Sequence, residues 1–111
     1  MLNKIKVCIV ITARPSYSRI RTAMLDLKKR ASVELVVICS GSALLDRYGT
    51  ISDVVKADGF NVVEELYTFV EGNDLINMSL TTANTITSTS LALRKLKPDY
   101  VVSIADRYET L

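Results

Sequence analysis

Four short apolar runs, separated by longer segments with helical spacing, set the pattern of this chain. Ile5 to Ile11 (IKVCIVI) is almost unbroken in Val and Ile, which suits a strand buried on both faces of a parallel sheet. Val33 to Cys39 (VELVVIC) repeats that character. Asn61 to Tyr67 (NVVEELY) is shorter and more polar, as expected of a strand near a sheet edge. Tyr100 to Ala105 (YVVSIA) is the fourth run.

The segments between them read as helices. After the first strand, Thr12 to Ser16 form a polar connection containing Pro15, and Ser16 or Ser18 is placed to cap the next helix. Ile20, Met24, Leu27 and Ala31 then recur at steps of four, three and four, with Arg21, Lys28 and Lys29 off the stripe. That is an amphipathic helix laid on a sheet. Ser40-Gly41-Ser42 turns the chain into a short helix from Ala43 to Tyr48, ended by Gly49. A second short helix, Ile51 to Ala57, closes at Asp58-Gly59. The segment from Asp74 to Lys97 predicts one long helix stopped by Pro98. Its Ile76, Leu80, Ala83, Ile86, Leu93 and Leu96 keep helical spacing. The Ser/Thr-rich middle, Thr81 to Ser90, leaves two readings open: a contact face for another helix or subunit, or a weakly amphipathic covering helix.

This alternation predicts an α/β fold, a doubly wound parallel sheet of Rossmann-like type with strand order 3-2-1-4. Strands one and four then flank the switch point, where ligands bind outside the carboxyl ends of the strands. Those two ends carry Arg14 and Arg107. Two guanidiniums converging there suit an anion, most simply a phosphorylated or nucleotide-linked substrate. Asp106 and Glu109 put carboxylates beside the second arginine, so acid/base chemistry can share the pocket.

Composition narrows the chemistry. A length of 111 residues fits one domain. The net charge of +2 does not imply nucleic acid. The one basic cluster, Lys28-Lys29-Arg30, falls at a helix end, where cations complement the macrodipole. No apolar stretch reaches the roughly 18 to 20 residues of a membrane span, and the opening MLNKIKVCIVIT lacks a signal-peptide cleavage site. Cys8 and Cys39, each within a strand, suit small buried hydrophobes in a reducing cytoplasm, which is the expected location. With no histidine in these 111 residues, the segment holds no Ser-His-Asp or Cys-His arrangement and no histidine-ligated metal. Thr12-Ala13-Arg14-Pro15-Ser16-Tyr17 contains no glycine, which argues against the G-x-G-x-x-G cradle of a dinucleotide; no cofactor is expected. The basic first loop has the wrong sign for the metal-binding acids of a phospho-receiver domain. Ser18 can serve as a phosphate donor or as a cap. Tyr17 and Tyr108 can stack on a base or simply pack, and Asp46-Arg47-Tyr48 reads as structural.

Three blocks carry a resemblance that spans the chain: ITARPSYSR, SALLDRYG and IADRYETL. They resemble the hydrolysing UDP-N-acetylglucosamine 2-epimerases of sialic-acid and related nonulosonic-acid biosynthesis. The resemblance implies two Rossmann-like domains of GT-B type with a UDP-sugar in the cleft between them. It implies elimination of UDP across C1 and C2, then addition of water to release N-acetylmannosamine. Arg14 and Ser18 match UDP-contacting positions, Arg107 the second UDP-contacting arginine, and Asp106 the catalytic carboxylate. Arg19 and Glu109 are further candidates for substrate contact. Fixed guanidiniums would stabilise the charge that builds on a departing diphosphate. Ala105 stands where many members have Gly.

Members of that family are several times longer. Residues 1–111 are therefore expected to form the N-terminal part of the first Rossmann-like domain, without the C-terminal UDP-binding domain, and to be inactive alone. An open strand edge predicts self-association into a homo-oligomer. The alternatives are the N-domain of a GT-B glycosyltransferase and a non-catalytic nucleotide-binding module.

Overall fold

In the computed structural model, strand β1 (Ile5–Ile11) leads through helix α1 (Arg14–Lys28) to β2 (Val33–Ser40). Helix α2 (Ile51–Ala57), β3 (Val62–Leu66), helix α3 (Leu75–Leu96) and β4 (Tyr100–Ser103) come next along the chain. The structure describes residues 4–40, 44, 51–67 and 75–103, and the side chain of Arg14 lies outside that description. Of the short helix expected at Ala43 to Tyr48, only Leu44 falls within it.

The sheet has the order β3-β2-β1-β4 with every pairing parallel, as the alternation of elements predicts. β1 lies between β2 and β4, from Ile5↔Val33 to Ile11↔Cys39 on one side and Val7↔Tyr100 to Val10↔Ser103 on the other. Its apolar run is thus sandwiched on both faces and paired along both edges. Val7, Ile9 and Ile11 join Tyr17, Met24, Val37, Ile51, Val55 and Phe60 in one core layer. Cys8, Val36, Ile38 and Ala92 form the other, with Leu93 and Leu96 packed against it.

β3 is the polar edge strand the sequence predicts. Its register slips by one residue, from Val37↔Val62 to Ile38↔Glu64. Past the slip, Glu64 meets Lys95 of α3 at 3.3 Å, whereas Glu65 meets Lys56 of α2 at 3.1 Å. At the other edge, a tight clamp sets β4 against β1. Lys6 Nζ donates to the Leu96 carbonyl at 3.0 Å, and the Lys6 amide donates to Asp99 Oδ2 at 2.7 Å. The Asp99 amide returns a bond to the Lys6 carbonyl at 2.8 Å. Lys97, with φ 49°, terminates α3 in the left-handed region.

Two expectations about helices are corrected. α3 does not bury its Ile76–Leu80–Ile86 stripe: these are 73%, 49% and 55% exposed, and its buried residues are Thr81, Thr85 and Ala92. Threonine can line the inner face because its hydroxyl bonds back to the preceding turn, as Thr85 Oγ1 does to the Thr81 carbonyl at 2.8 Å. In α1 the helix ends at Lys28, so Ala31 lies outside it and is exposed, while Met24 is fully buried.

Candidate functional site

The carboxyl ends of β1 and β4 are adjacent, as the switch-point reading requires. β1 passes into Thr12 and Ala13, both buried, and Ala13 takes an extended conformation (φ −158°, ψ 160°) as the N-cap of α1. Arg14 is therefore the first helical residue and Pro15 the second. Proline is tolerated there because the first-turn N–H groups have no intrahelical acceptor. Tyr17 makes the opening bond, its amide donating to the Ala13 carbonyl at 3.3 Å. This corrects the capping role considered for Ser16 and Ser18. Both lie inside the helix, Ser16 buried and Ser18 exposed.

The head of α1 is electropositive by construction. Its N-cap residue, Ala13, makes no side-chain cap bond, and its first turn holds no acidic residue. The positive end of the helix dipole is therefore not offset by a first-turn carboxylate, a setting that favours an anion. Ser18 comes four residues after Arg14, one helical turn on, and Arg19 is exposed beside it. Across the sheet edge, β4 ends at Ser103, paired with Val10. Asp106, Arg107, Tyr108 and Glu109 lie outside the described residues, as does Asp46-Arg47-Tyr48.

Polar residues gather at this rim. Thr12, Ser16, Ser40 and Ser52 are all buried and all follow or end β1 or β2, whereas the strand centres are apolar. At the end of β2, Ser52 Oγ donates to Glu65 Oε2 at 2.6 Å and Lys56 Nζ to Oε1 at 3.1 Å. These two bonds hold the Glu65 carboxyl below its usual range. Burial pushes the neighbouring Cys39 thiol up to about 11, and the Cys8 thiol likewise to about 11. Neither thiol is a ready nucleophile; both are buried space-fillers, as their strand positions predict.

Tyr17 is only 3% exposed, and its ring meets Phe60 edge-on, centroids 6.3 Å apart at 84°. Of the two roles open to it, it packs, and is not free to stack on a base. Its hydroxyl donates to Asp58 Oδ2, which also accepts from Arg21 Nε at 3.0 Å. Sequence reading missed this cluster because 41 residues separate Tyr17 from Asp58. Among the described residues no group of three or more Cys, Asp or Glu side chains is arranged to hold a metal, and no helix is long and apolar enough to cross a membrane. A groove of about 350 Å³ along α3, lined by Leu75, Met78, Ser79, Thr82, Ala83 and Ile86, has no charge with which to hold a phosphate.

The chain is similar to the hydrolysing GDP/UDP-N,N'-diacetylbacillosamine 2-epimerase of Campylobacter jejuni. The two are 26% identical over 110 residues, covering 99% of this chain and 28% of that protein. The fold matches a crystal structure of UDP-N-acetylglucosamine 2-epimerase with a TM-score of 0.79 at 21% identity, over 97% of this chain and 28% of the other. It also matches the UDP-GlcNAc 2-epimerase of Neisseria meningitidis bound to UDP-GlcNAc, with a TM-score of 0.75 at 21% identity, over 96% and 27%. No protein-family model matches. The chain thus spans little more than a quarter of the relatives it resembles. The resemblance is borne out by the curated Campylobacter relative, and the three-dimensional match carries the Rossmann-like reading of the sheet.

Proposed function

We propose that this chain supplies the N-terminal part of the first Rossmann-like domain of a hydrolysing UDP-sugar 2-epimerase, and with it half of the substrate site. The observation that carries the reading is the parallel pairing of β1 with β4. It sets the uncapped head of α1 at the same end of the sheet from which the chain continues toward the Asp106-Arg107 pair. In this reading Arg14 and Arg107 grip the diphosphate of UDP, and Ser18 donates a hydroxyl hydrogen bond to it. Arg19 and Glu109 add contacts to the substrate.

The chemistry is governed by charge. Breaking the C1–O bond leaves negative charge on UDP, and preorganised guanidiniums stabilise that charge as it forms. Asp106 moves the proton or orients the water beside them. Elimination across C1 and C2 followed by hydration converts UDP-N-acetylglucosamine to N-acetylmannosamine and UDP. The name of the Campylobacter relative favours testing a diacetamido sugar as well. No cofactor is required. Residues 1–111 are inactive alone, because the second UDP-binding domain completes the cleft. The enzyme works in the cytoplasm, where nucleotide sugars are made, as a homo-oligomer.

The test is product analysis by NMR. The native protein is expected to release free 2-epimerised sugar and UDP in equal amounts, and Arg107→Ala to lose UDP affinity in calorimetry. Transfer of the sugar to an acceptor without inversion at C2, or unchanged UDP binding in a folded Arg107→Ala, would sink the reading.

A further inference from the structure

The head of α1 carries Arg14 and Ser18, yet its N-cap residue, Ala13, makes no side-chain cap bond and Pro15 removes one amide from its first turn. Uncapped helix ends fray. A charged fork must nevertheless be held still, since a displacement of about 1 Å at a binding group can cost about 100-fold in rate. A tie farther along the helix can hold these turns.

One carboxylate oxygen does so. Asp58 Oδ2 accepts from the Tyr17 hydroxyl and from Arg21 Nε, two side chains one helical turn apart. Ser18 lies between them in sequence, and Arg14 stands three residues before Tyr17. Asp58 is itself rigidly mounted at the end of α2. Its amide donates to the Val54 carbonyl at 3.0 Å, the Gly59 amide to that of Lys56 at 3.0 Å and the Phe60 amide to that of Val55 at 3.3 Å. Gly59 takes φ 93°, a left-handed turn that a side chain would strain. Phe60 then braces the Tyr17 ring, with Lys28 Nζ 5.5 Å from the Phe60 centroid. Rotation of α1 about its axis would break both bonds to Asp58 together.

We infer that Asp58, acting through Tyr17 and Arg21, is a positioning residue that sets the rotation of α1's first two turns, which carry Arg14 and Ser18 of the proposed diphosphate site. This rests on the UDP reading above. It adds a residue outside the site, at the end of a different helix, that governs the affinity of the site.

The experiment is a calorimetric titration of the native protein with UDP, paired with melting temperature, for Tyr17→Phe, Asp58→Ala, Arg14→Ala and the double variants. Tyr17→Phe keeps the ring packing and removes only the hydroxyl, so it stays informative where Asp58→Ala fails to fold. Tyr17→Phe and Asp58→Ala are each expected to weaken UDP binding roughly 3- to 10-fold, the scale of coupling within one hydrogen-bond network. In the Arg14→Ala background the same changes should cost clearly less, because one of the two groups carried by those turns is gone. A purely stabilising role would instead give the same loss in both backgrounds, and that result overturns the inference. Weakened binding in Arg14→Ala beside unchanged binding in folded Tyr17→Phe overturns it alone and leaves the UDP reading standing. Unchanged binding in a folded Arg14→Ala brings down both.

Discussion

α1 and α2 bury Tyr17, Met24, Ile51 and Val55 on one face of the sheet, whereas the buried residues of α3 on the other are Thr81, Thr85 and Ala92. The first layer is large, apolar and tied by a carboxylate that two turns of α1 share. The second rests on small side chains and leaves Leu75, Ile76, Leu80, Ile86 and Leu91 exposed. The layer beneath the candidate site is thus the one built for rigidity. The helix that begins at Arg14 is held by both its core residues and its polar ties, and the helix on the far face is held by less.

The sharpest test of that contrast is truncation of each layer. Met24→Ala, at a fully buried position, should cost about 2–5 kcal/mol in urea unfolding. Leu93→Ala, only partly buried under α3, should cost clearly less. Equal losses would erase the distinction. Gly59→Ala comes next, at about 1–2 kcal/mol, because alanine resists the left-handed backbone at φ 93°. The added methyl would also run into Lys28 Nζ, but that flexible tip can swing aside, so the backbone strain dominates.

The pH profile separates the layers differently. Burial first, then the bond to Asp58, raises the Tyr17 hydroxyl from its ordinary value of 10.0 to about 12. Folding therefore favours the neutral phenol. The stability this lends is complete below pH 10 and drains away as pH rises toward 12. Tyr17→Phe should lack that increment, so the gap between it and the parent should close across this window. On the acid side the sign reverses. The Tyr17 bond, then Arg21, lowers the Asp58 carboxyl, so its contribution holds above the unfolded value and is lost as pH falls through the lowered one. The smallest effect belongs to α3: Ile86→Ser, at an exposed position, should shift stability by no more than about 0.5 kcal/mol. A larger loss would show that this stripe is covered in solution.

Much of the fold was legible because buried parallel strands announce themselves as unbroken apolar runs. The ends of α2, the polar edge character of β3 and the order 3-2-1-4 all come from such patterns. The inner face of α3 was not, because a hydrophobic stripe at helical spacing looks inward-facing by default. Threonines that bond back to the previous turn are buried at no polar cost, and no pattern of hydrophobicity reveals them. The start of α1 falls earlier than either candidate serine suggests, since an alanine N-cap carries no side-chain signal. At the candidate site, Arg14 and Ser18 were singled out from their place after β1. Asp58 was not, because its partners are distant in sequence and meet it only through the packing of α1 against the end of α2.

The one-residue slip in β3 bears on how this sheet can grow. By rephasing the strand it decides which of two consecutive glutamates meets which helical layer, Glu64 meeting Lys95 and Glu65 meeting Lys56. The outer margin is left irregular and acidic, a poor template for another strand. β4 has no such guard among the described residues, and its Tyr100 and Val101 are 63% and 49% exposed. The two margins thus differ among the described residues: that of β3 is a poor template for a further strand, and that of β4, beside the candidate site, is the more open.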